Sequence, residues 1–353
     1  SITLNFIFCF LLKNDLLMFN TTFMEDIKYK AFYTQETDSG FSNSIENLSV
    51  ADLEENDLLI KVSYSSLNYK DALSASGNKG VTRNYPHTPG IDAVGKVIKS
   101  NSSDFKDGDK VIVTGYDLGM NTSGGFSQFI RVPEEWVVLK PAEISLSESM
   151  ALGTAGLTAG LCVRKLLNHG IKPEMGKVFV TGATGGVGIV AMMLLSKLGF
   201  EVTAITGKMD SKELLMEYGA SEVASRQDFD QKLLSPLQKS IFVGGVDAVG
   251  GDVLSNLLCS TSQRAAIACC GMVNGTDLNT SIFPFILRGV TLYGVDSAET
   301  ELSIKEEVWS NFSNDWKLNE LENNIKEVGL SDLPKEIDTI LKGQQIGRIR
   351  IKI

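Results

Sequence analysis

Residues 180 to 190 read VTGATGGVGIV, a glycine-rich turn between two apolar runs. Written as A-x-G-x-x-G, the turn is Ala183-Thr184-Gly185-Gly186-Val187-Gly188, and the chemistry it suits is holding a pyrophosphate. Gly185 lets the backbone approach the anion, and Gly188 lets the next helix pack tightly on the strand. The helix N-terminus supplies free N–H groups and partial positive charge. Glycine usually opens such a turn, and Ala183 can serve there if its φ is negative. Without a ligand the same residues are only a tight strand-to-helix corner. A strand before, an apolar helix after and a second strand at the expected distance favour the cofactor reading.

The end of that second strand decides which dinucleotide. Folds that bind NAD place Asp or Glu about 20 residues on, where it holds the ribose 2′-hydroxyl. Here TAITGKMDSKE brings the strand to an end at Thr206-Gly207-Lys208, a hydroxyl and an ammonium with no carboxylate at the tip. Asp210 falls in the following helix turn. Lys208 attracts a 2′-phosphate, so NADPH is the expected cofactor.

These residues need a scaffold, and the patterning supplies one. From residue 30 to 150, short apolar runs such as LLIKVSYSSL, DKVIVTGY and FSQFIRVPEEWVVLKP alternate with Gly, Asn, Asp and Pro. They predict an all-β, barrel-like unit with short helices. The period turns helical near SLSESMALGTAGLTAGLCVRKLL, with Ser145 or Ser147 as N-cap. Strands and helices then alternate (KVFVTG, GGVGIVAMMLLSKLG, EVTAIT, SKELLMEYGA, GVDAVG, GDVLSNLLCS, RAAIACCG, VTLYGVDS), which predicts right-handed βαβ units in a parallel, doubly wound sheet. The closing GRIRIKI is a strand able to return to the first unit.

Composition sets the limits. The chain has 353 residues, 43% hydrophobic and 22% charged, enough for two domains with real cores. A net charge of −10 and a pI near 4.9 argue against nucleic acid or an anionic membrane as partner. The five cysteines include no C-x-x-C pair, and with only His87 and His169 a Cys/His zinc site is hard to assemble. The expected compartment is the reducing cytoplasm. SITLNFIFCFLL at the N-terminus is too short for a span of about 20 residues. It also lacks the basic flank and cleavage site of a signal peptide. Residues 1–23 are expected to lie upstream of a natural start at Met24, with a cryptic export or anchoring signal as the alternative.

Several stretches together carry a resemblance: SLNYKDALSASG, YPHTPGIDAVGKV, GTAGLTAGLCV, VTGATGGVG, PFILRGVTLYGVDS and GRIRIKI. In order, over about residues 28 to 353, they resemble the medium-chain dehydrogenase/reductase superfamily. Within it they are similar to the acryloyl-CoA reductase group, also labelled zinc-free quinone oxidoreductases of the YhdH/YhfP type. The resemblance implies an α/β chain: a GroES-like β-barrel catalytic domain at 24–150, completed by 297–353, around a Rossmann NADP-binding domain at 151–296. It implies a homodimer and an active site in the cleft between the domains. Zinc enzymes of the superfamily carry Cys, His-Glu and Cys ligands; the matching positions here are Asn68, Ile91-Asp92 and Thr154. No Cys or His ligand stands there, so no metal is expected.

Roles carried over from the group place Tyr69 of NYKDA at the nicotinamide end. There its phenol could orient the ring, donate to an enolate or relay a proton, or simply pack between domains. Asn68 is a candidate amide donor to the substrate carbonyl. Asp71 is a candidate catalytic carboxylate or a helix cap. Thr184, Gly185, Gly186, Val187 and Gly188 contact the pyrophosphate; Thr206, Gly207 and Lys208 take the 2′-phosphate; Met272 and Ser297 lie on the nicotinamide side. Two features depart from the group: KGQQIGR supplies Gly343, Gln344 and Gln345 where an Asn is usual, and TGYDLGMNTSGG replaces the usual TGWGVGE beside the substrate cleft. Cys269-Cys270 reads as a pair of small hydrophobes, since adjacent cysteines rarely form a relaxed disulfide.

The chemistry such a site suits is conjugate reduction: hydride to the β-carbon of an unsaturated thioester or carbonyl, charge on the carbonyl oxygen, and a proton to the α-carbon. The expected activity is NADPH-dependent reduction of short enoyl-CoA esters such as acryloyl-CoA. The alternatives are an NADPH:quinone or alkenal oxidoreductase and, from another class, a non-catalytic NADPH-binding protein.

Overall fold

The computed structural model describes residues 27–353 apart from position 234; the segment 1–23 and the expected start at Met24 lie outside the described residues. Alternation along KYKAFYTQET builds β1 (Lys28–Thr37), which pairs antiparallel with β2 (Gly40–Ser49). There follow β3 (Leu58–Ser66), α1 (Tyr69–Ala75), β4 (Asp92–Ser100), β5 (Lys110–Thr114), β6 (Phe129–Val132) and β7 (Val137–Leu139). Leu58, Ile60, Val62, Val111 and Val113 sit in one core among these strands, the inward half of their alternating pattern.

The second half begins with α2 (Leu146–His169) and continues β8 (Val178–Thr181), α3 (Gly186–Lys197), β9 (Val202–Thr206), α4 (Lys212–Glu217), β10 (Glu222–Ser225), β11 (Phe242–Asp247), α5 (Gly251–Cys259), β12 (Thr261–Cys269), α6 (Phe283–Arg288) and β13 (Thr291–Gly294). The chain ends with α7 (Leu302–Ser313), β14 (Ile325–Gly329), α8 (Leu333–Leu341) and β15 (Arg348–Lys352). A six-stranded sheet takes the order β10-β9-β8-β11-β12-β13 with every pair parallel. This is the doubly wound arrangement expected from strands alternating with helices.

The other large sheet runs β14-β15-β3-β4-β5-β7, with β6 also on β3. GRIRIKI therefore does return to the first unit: β15 pairs antiparallel with β3, Arg350 opposite Ser66. The helix α2 joins the two sheets, packing on β3, β4 and β15 of one, β12 of the other, and α3. Ser145 is its N-cap, with a closed capping box. Glu148 N–H donates to Ser145 Oγ at 3.0 Å and Ser145 N–H to Glu148 Oε2 at 2.7 Å. α2 has the length and hydropathy of a membrane span, yet 78% of that apolar window is buried inside the fold.

The helical pattern over GTAGLTAG is not continuous. Gly153 breaks α2 with φ 54° and ψ −156°. A Cβ there would lie 2.3 Å from Ser66 Oγ and 2.6 Å from Asp92 Oδ2, so only glycine lets the helix pass this close to β3 and β4.

Candidate active site

The glycine turn joins β8 to α3, and the residue that needs left-handed backbone is Gly182, at φ +59°. Ala183, next in line, is fully buried and does not adopt positive φ. The turn is thus eased one residue early, and the alanine costs nothing. Gly188 is required for packing: an added Cβ would stand 2.2 Å from the Gly182 carbonyl oxygen. Gly185, the N-cap, faces only that same oxygen at 3.2 Å, leaving its outer side open. The first N–H groups of the 12-residue α3 point there without intrahelical acceptors. An open cradle at a helix N-terminus is the shape a pyrophosphate fits.

At the tip of β9, Thr206 is buried, Gly207 exposed and Lys208 half-buried. Thr206 Oγ1 lies 3.4 Å from Thr184 Oγ1 and accepts from the Lys208 N–H at 3.0 Å. Lys208 Nζ donates to the Gln345 carbonyl at 2.6 Å, and burial pulls its pKa down. Two of its three N–H donors stay available to an anion. β10 runs parallel with Ser225 opposite Thr206, so Arg226 arrives beside Gly207, its guanidinium carbon 3.2 Å from where a Cβ would stand. Gln345 Oε1 is buried with no hydrogen-bond partner among the described residues, next to the strand end that the cofactor would cover.

Arg348 links the turn to a buried polar cluster. Asp92, fully buried at the start of β4, accepts from Ser66 Oγ (2.5 Å), Asn68 Nδ2 (2.8 Å), Thr154 N–H (2.9 Å) and Thr154 Oγ1 (2.5 Å). Arg348 on β15, also buried, donates to Ser66 Oγ (2.8 Å), the carbonyls of Ala151 (3.1 Å) and Leu67 (3.3 Å), and Asn68 Oδ1 (3.3 Å). Burial lowers the Arg348 pKa, and Asp92 and Asp71 pull the other way. Its guanidinium also lies 3.1 Å from the Cβ position of Gly186, so one side chain spans from the glycine turn to the cluster.

Asn68 caps α1, and its amide is fully spent. Nδ2 donates to Asp92 and, at 3.2 Å, to Asp71, while Oδ1 faces Arg348. In this arrangement both amide hydrogens of Asn68, the candidate donor to a substrate carbonyl, are engaged by carboxylates. Asp71 accepts from Asn68 N–H and Ile91 N–H, both at 2.7 Å. It thus closes the capping box of α1 and tethers the Ile91 loop, with no exposed surface of its own. Burial and the neighbouring Asp92 charge push its pKa up to about 7. Tyr69, by contrast, is 48% exposed, and its hydroxyl has no partner among the described residues.

Ser297 Oγ lies 2.7 Å from Thr158 Oγ1, one turn of α2 from Thr154, which ties the segment after β13 to α2. Met272 stands 68% exposed in a turn against Gly250 at the start of α5. Cys162, Cys259, Cys269 and Cys270 are free thiols.

Residues 54–142 match the alcohol dehydrogenase GroES-like domain family, and residues 186–314 match the zinc-binding dehydrogenase family. Acrylyl-CoA reductase AcuI of Ruegeria pomeroyi is 39% identical over 88% of this chain and 94% of its own. The quinone-oxidoreductase-type protein YhfP of Bacillus subtilis is 40% identical over 92% of this chain and 99% of its own. The chain belongs to the medium-chain dehydrogenase/reductase superfamily. The YhdH oxidoreductase of Salmonella enterica, solved with NADP, superposes with a TM-score of 0.89 at 38% identity, covering 92% of this chain and 99% of that one. YhfP solved with NAD gives 0.90 at 39%, covering 93% and 100%.

In this medium-chain reductase the three positions that resemblance matches to metal ligands do converge, but as hydrogen-bond partners: Asp92 binds both Asn68 and Thr154. Among the described residues no group of three or more His, Cys, Asp or Glu side chains could hold a metal ion. Residue-by-residue reading missed Arg226, Ser66 and Arg348. Arg226 was recoverable from the parallel pairing of neighbouring strands. Arg348 carried a fainter signal, a cation inside the apolar strand RIRIK.

Proposed function

We propose that the protein is an NADPH-dependent reductase of activated C=C bonds, acting on short enoyl-CoA esters such as acryloyl-CoA. The observation that carries this reading is Tyr69: a half-exposed phenol with no hydrogen-bond partner among the described residues, which follows Asn68, whose Oδ1 meets the Arg348 side chain that reaches Gly186 of the glycine turn. When bound, a nicotinamide cofactor supplies hydride for the β-carbon. The chain's own task is positioning and charge stabilisation. Gly185, Gly186, Val187 and Gly188 with Thr184 hold the pyrophosphate. Lys208 and Arg226, neither of them in an ion pair among the described residues, favour the 2′-phosphate of NADPH; Thr206 and Gly207 shape that corner. Ser297 borders the nicotinamide side. Tyr69 Oη donates to the substrate carbonyl oxygen as negative charge grows there.

The likeness to AcuI supports an acyl-CoA substrate, while the YhfP likeness makes quinones and alkenals the rivals to be run beside it. The protein is proposed to act in the cytoplasm, as its free thiols suit, without nucleic-acid or membrane partners, in keeping with its charge of −10 and its buried apolar helix. It is proposed to be a homodimer joined through the β13 edge. β13 closes one side of the parallel sheet, and Ile282, Phe283, Ile286 and Leu287 beside it are 42–64% exposed. The test of function is the fate of label: deuteride from deuterated NADPH is expected at the β-carbon and solvent deuterium at the α-carbon. Consumption of NADPH without label in the thioester product would reject conjugate reduction.

A further inference from the structure

Lys305, on α7, is a lysine with no exposed surface. Its ammonium donates to the carbonyls of Thr114, the last residue of β5, and Ala298, on the segment after β13, at 2.9 Å each. Its third side lies over the Tyr116 ring, 3.3 Å from the centroid. Tyr116 is held at φ 51°, a left-handed conformation that an aromatic residue adopts only when its surroundings impose it. The imposing contacts are local. Tyr116 N–H donates to Ala298 O at 3.1 Å, its hydroxyl donates to Thr300 O at 3.1 Å, and its ring stacks on Trp136 at 5.8 Å and 11°. Gly115, at φ +73°, has Ala298 Cα only 2.8 Å from its Cβ position.

Tyr116 opens the loop that the family resemblance places beside the substrate cleft. Ala298 follows Ser297, whose hydroxyl meets Thr158. One buried ammonium thus ties the loop after β5 to the segment that leaves the parallel sheet.

We propose that Lys305 is a positioning residue that seats Tyr116 and its loop against the Ser297 segment, and so sets the substrate side of the cleft. The inference rests on the reductase reading for its consequence in catalysis, but its geometry stands apart from it. An ammonium has three donors for three acceptors: two carbonyls and an aromatic face. A neutral amine has two donors and a lone pair, so one acceptor must be let go. Burial holds the Lys305 pKa down to about 7, against the pull of Glu299, Asp92 and Asp296, so this exchange falls near neutral pH. Those three carboxylates face Lys305 from β4 and from the segment after β13. Glu135, beside Trp136, and Glu306, on α7 itself, face the Tyr116 side with Glu299.

Trp136 reports on the contact directly. Its fluorescence, isolated by subtracting a Trp136→Phe variant, is expected to show one transition near pH 7 in the wild type and none in Lys305→Met. Lys305→Met is expected to raise KM for the unsaturated thioester about tenfold and to flatten its pH profile, with NADPH Kd held within about twofold. A variant with the wild-type Trp136 titration and wild-type KM overturns the proposal. Should Lys305→Met fail to fold, Tyr116→Leu removes the aromatic face from the loop side. It is expected to raise the same KM, and an unchanged KM there overturns the proposal equally. If no activated alkene is turned over at all, the reductase reading falls, and the Trp136 titration still decides the role of Lys305.

Discussion

Two glycines of the phosphate turn should fail in opposite ways. A Cβ at Gly188 would sit 2.2 Å from Gly182 O and 2.7 Å from its carbonyl carbon, where ordinary contact begins at 3.4 Å. Both atoms are backbone, so α3 must move off β8 by about 1 Å, an overpacking cost of ~1–3 kcal/mol. A Cβ at Gly185 meets one atom at 3.2 Å and then open space. Alanine is a poor N-cap, so Gly185→Ala should cost only ~0.5 kcal/mol of stability. It fills the place where the pyrophosphate approaches the backbone, and Kd for NADPH should rise about 10- to 100-fold, ~1.4–2.8 kcal/mol. Urea denaturation of the free protein and fluorescence titration with NADPH separate the two effects. Gly188→Ala should lose stability together with affinity, whereas Gly185→Ala loses affinity nearly alone. A Gly185→Ala protein that binds NADPH as tightly as wild type would show that the pyrophosphate sits elsewhere.

Lys208→Glu should raise KM for NADPH at least about tenfold while leaving NADH use little changed, because the substitution repels only the 2′-phosphate; parallel losses with both cofactors would remove Lys208 from that corner. Tyr69→Phe should lower kcat by about 10²-fold with NADPH binding intact, the scale of one lost oxyanion donor, and unchanged turnover would leave the tyrosine a packing role. Asp71 supplies a pH test of stability. Its folded-state pKa, near 7, lies above the ordinary carboxylate range, so between about pH 4 and 7 the folded protein binds the extra proton. Stability should therefore fall as pH rises through that window, and denaturation of Asp71→Asn should lack that part of the slope.

Much of the scaffold was readable from local pattern. The turn, its strand and its helix are contiguous in the chain, and so were legible, as was the return of GRIRIKI as β15. The open question of Ala183 was resolved by Gly182, whose positive φ could not be seen in a string of letters. What escaped was long-range. Arg348 reaches Ser66 and Asn68 across some 280 positions, and Lys305 reaches Thr114 across 191. No periodicity encodes such partners. The engagement of the Asn68 amide by Asp92 and Asp71 is of the same kind, since Asp92 lies 24 positions away. The break at Gly153 was hidden for the same reason: it answers atoms of β3, β4 and β15 rather than its helical neighbours.

The protein is proposed to reduce the double bond of an unsaturated thioester with NADPH. Steady-state turnover of acryloyl-CoA, followed by nicotinamide absorbance and product analysis, with quinones and alkenals in parallel, tests it most directly. The expected result is one NADPH consumed per propionyl-CoA formed, faster than with NADH and faster than for any quinone. NADPH that binds but is not consumed with any of these substrates, or is consumed only with quinones, would contradict it.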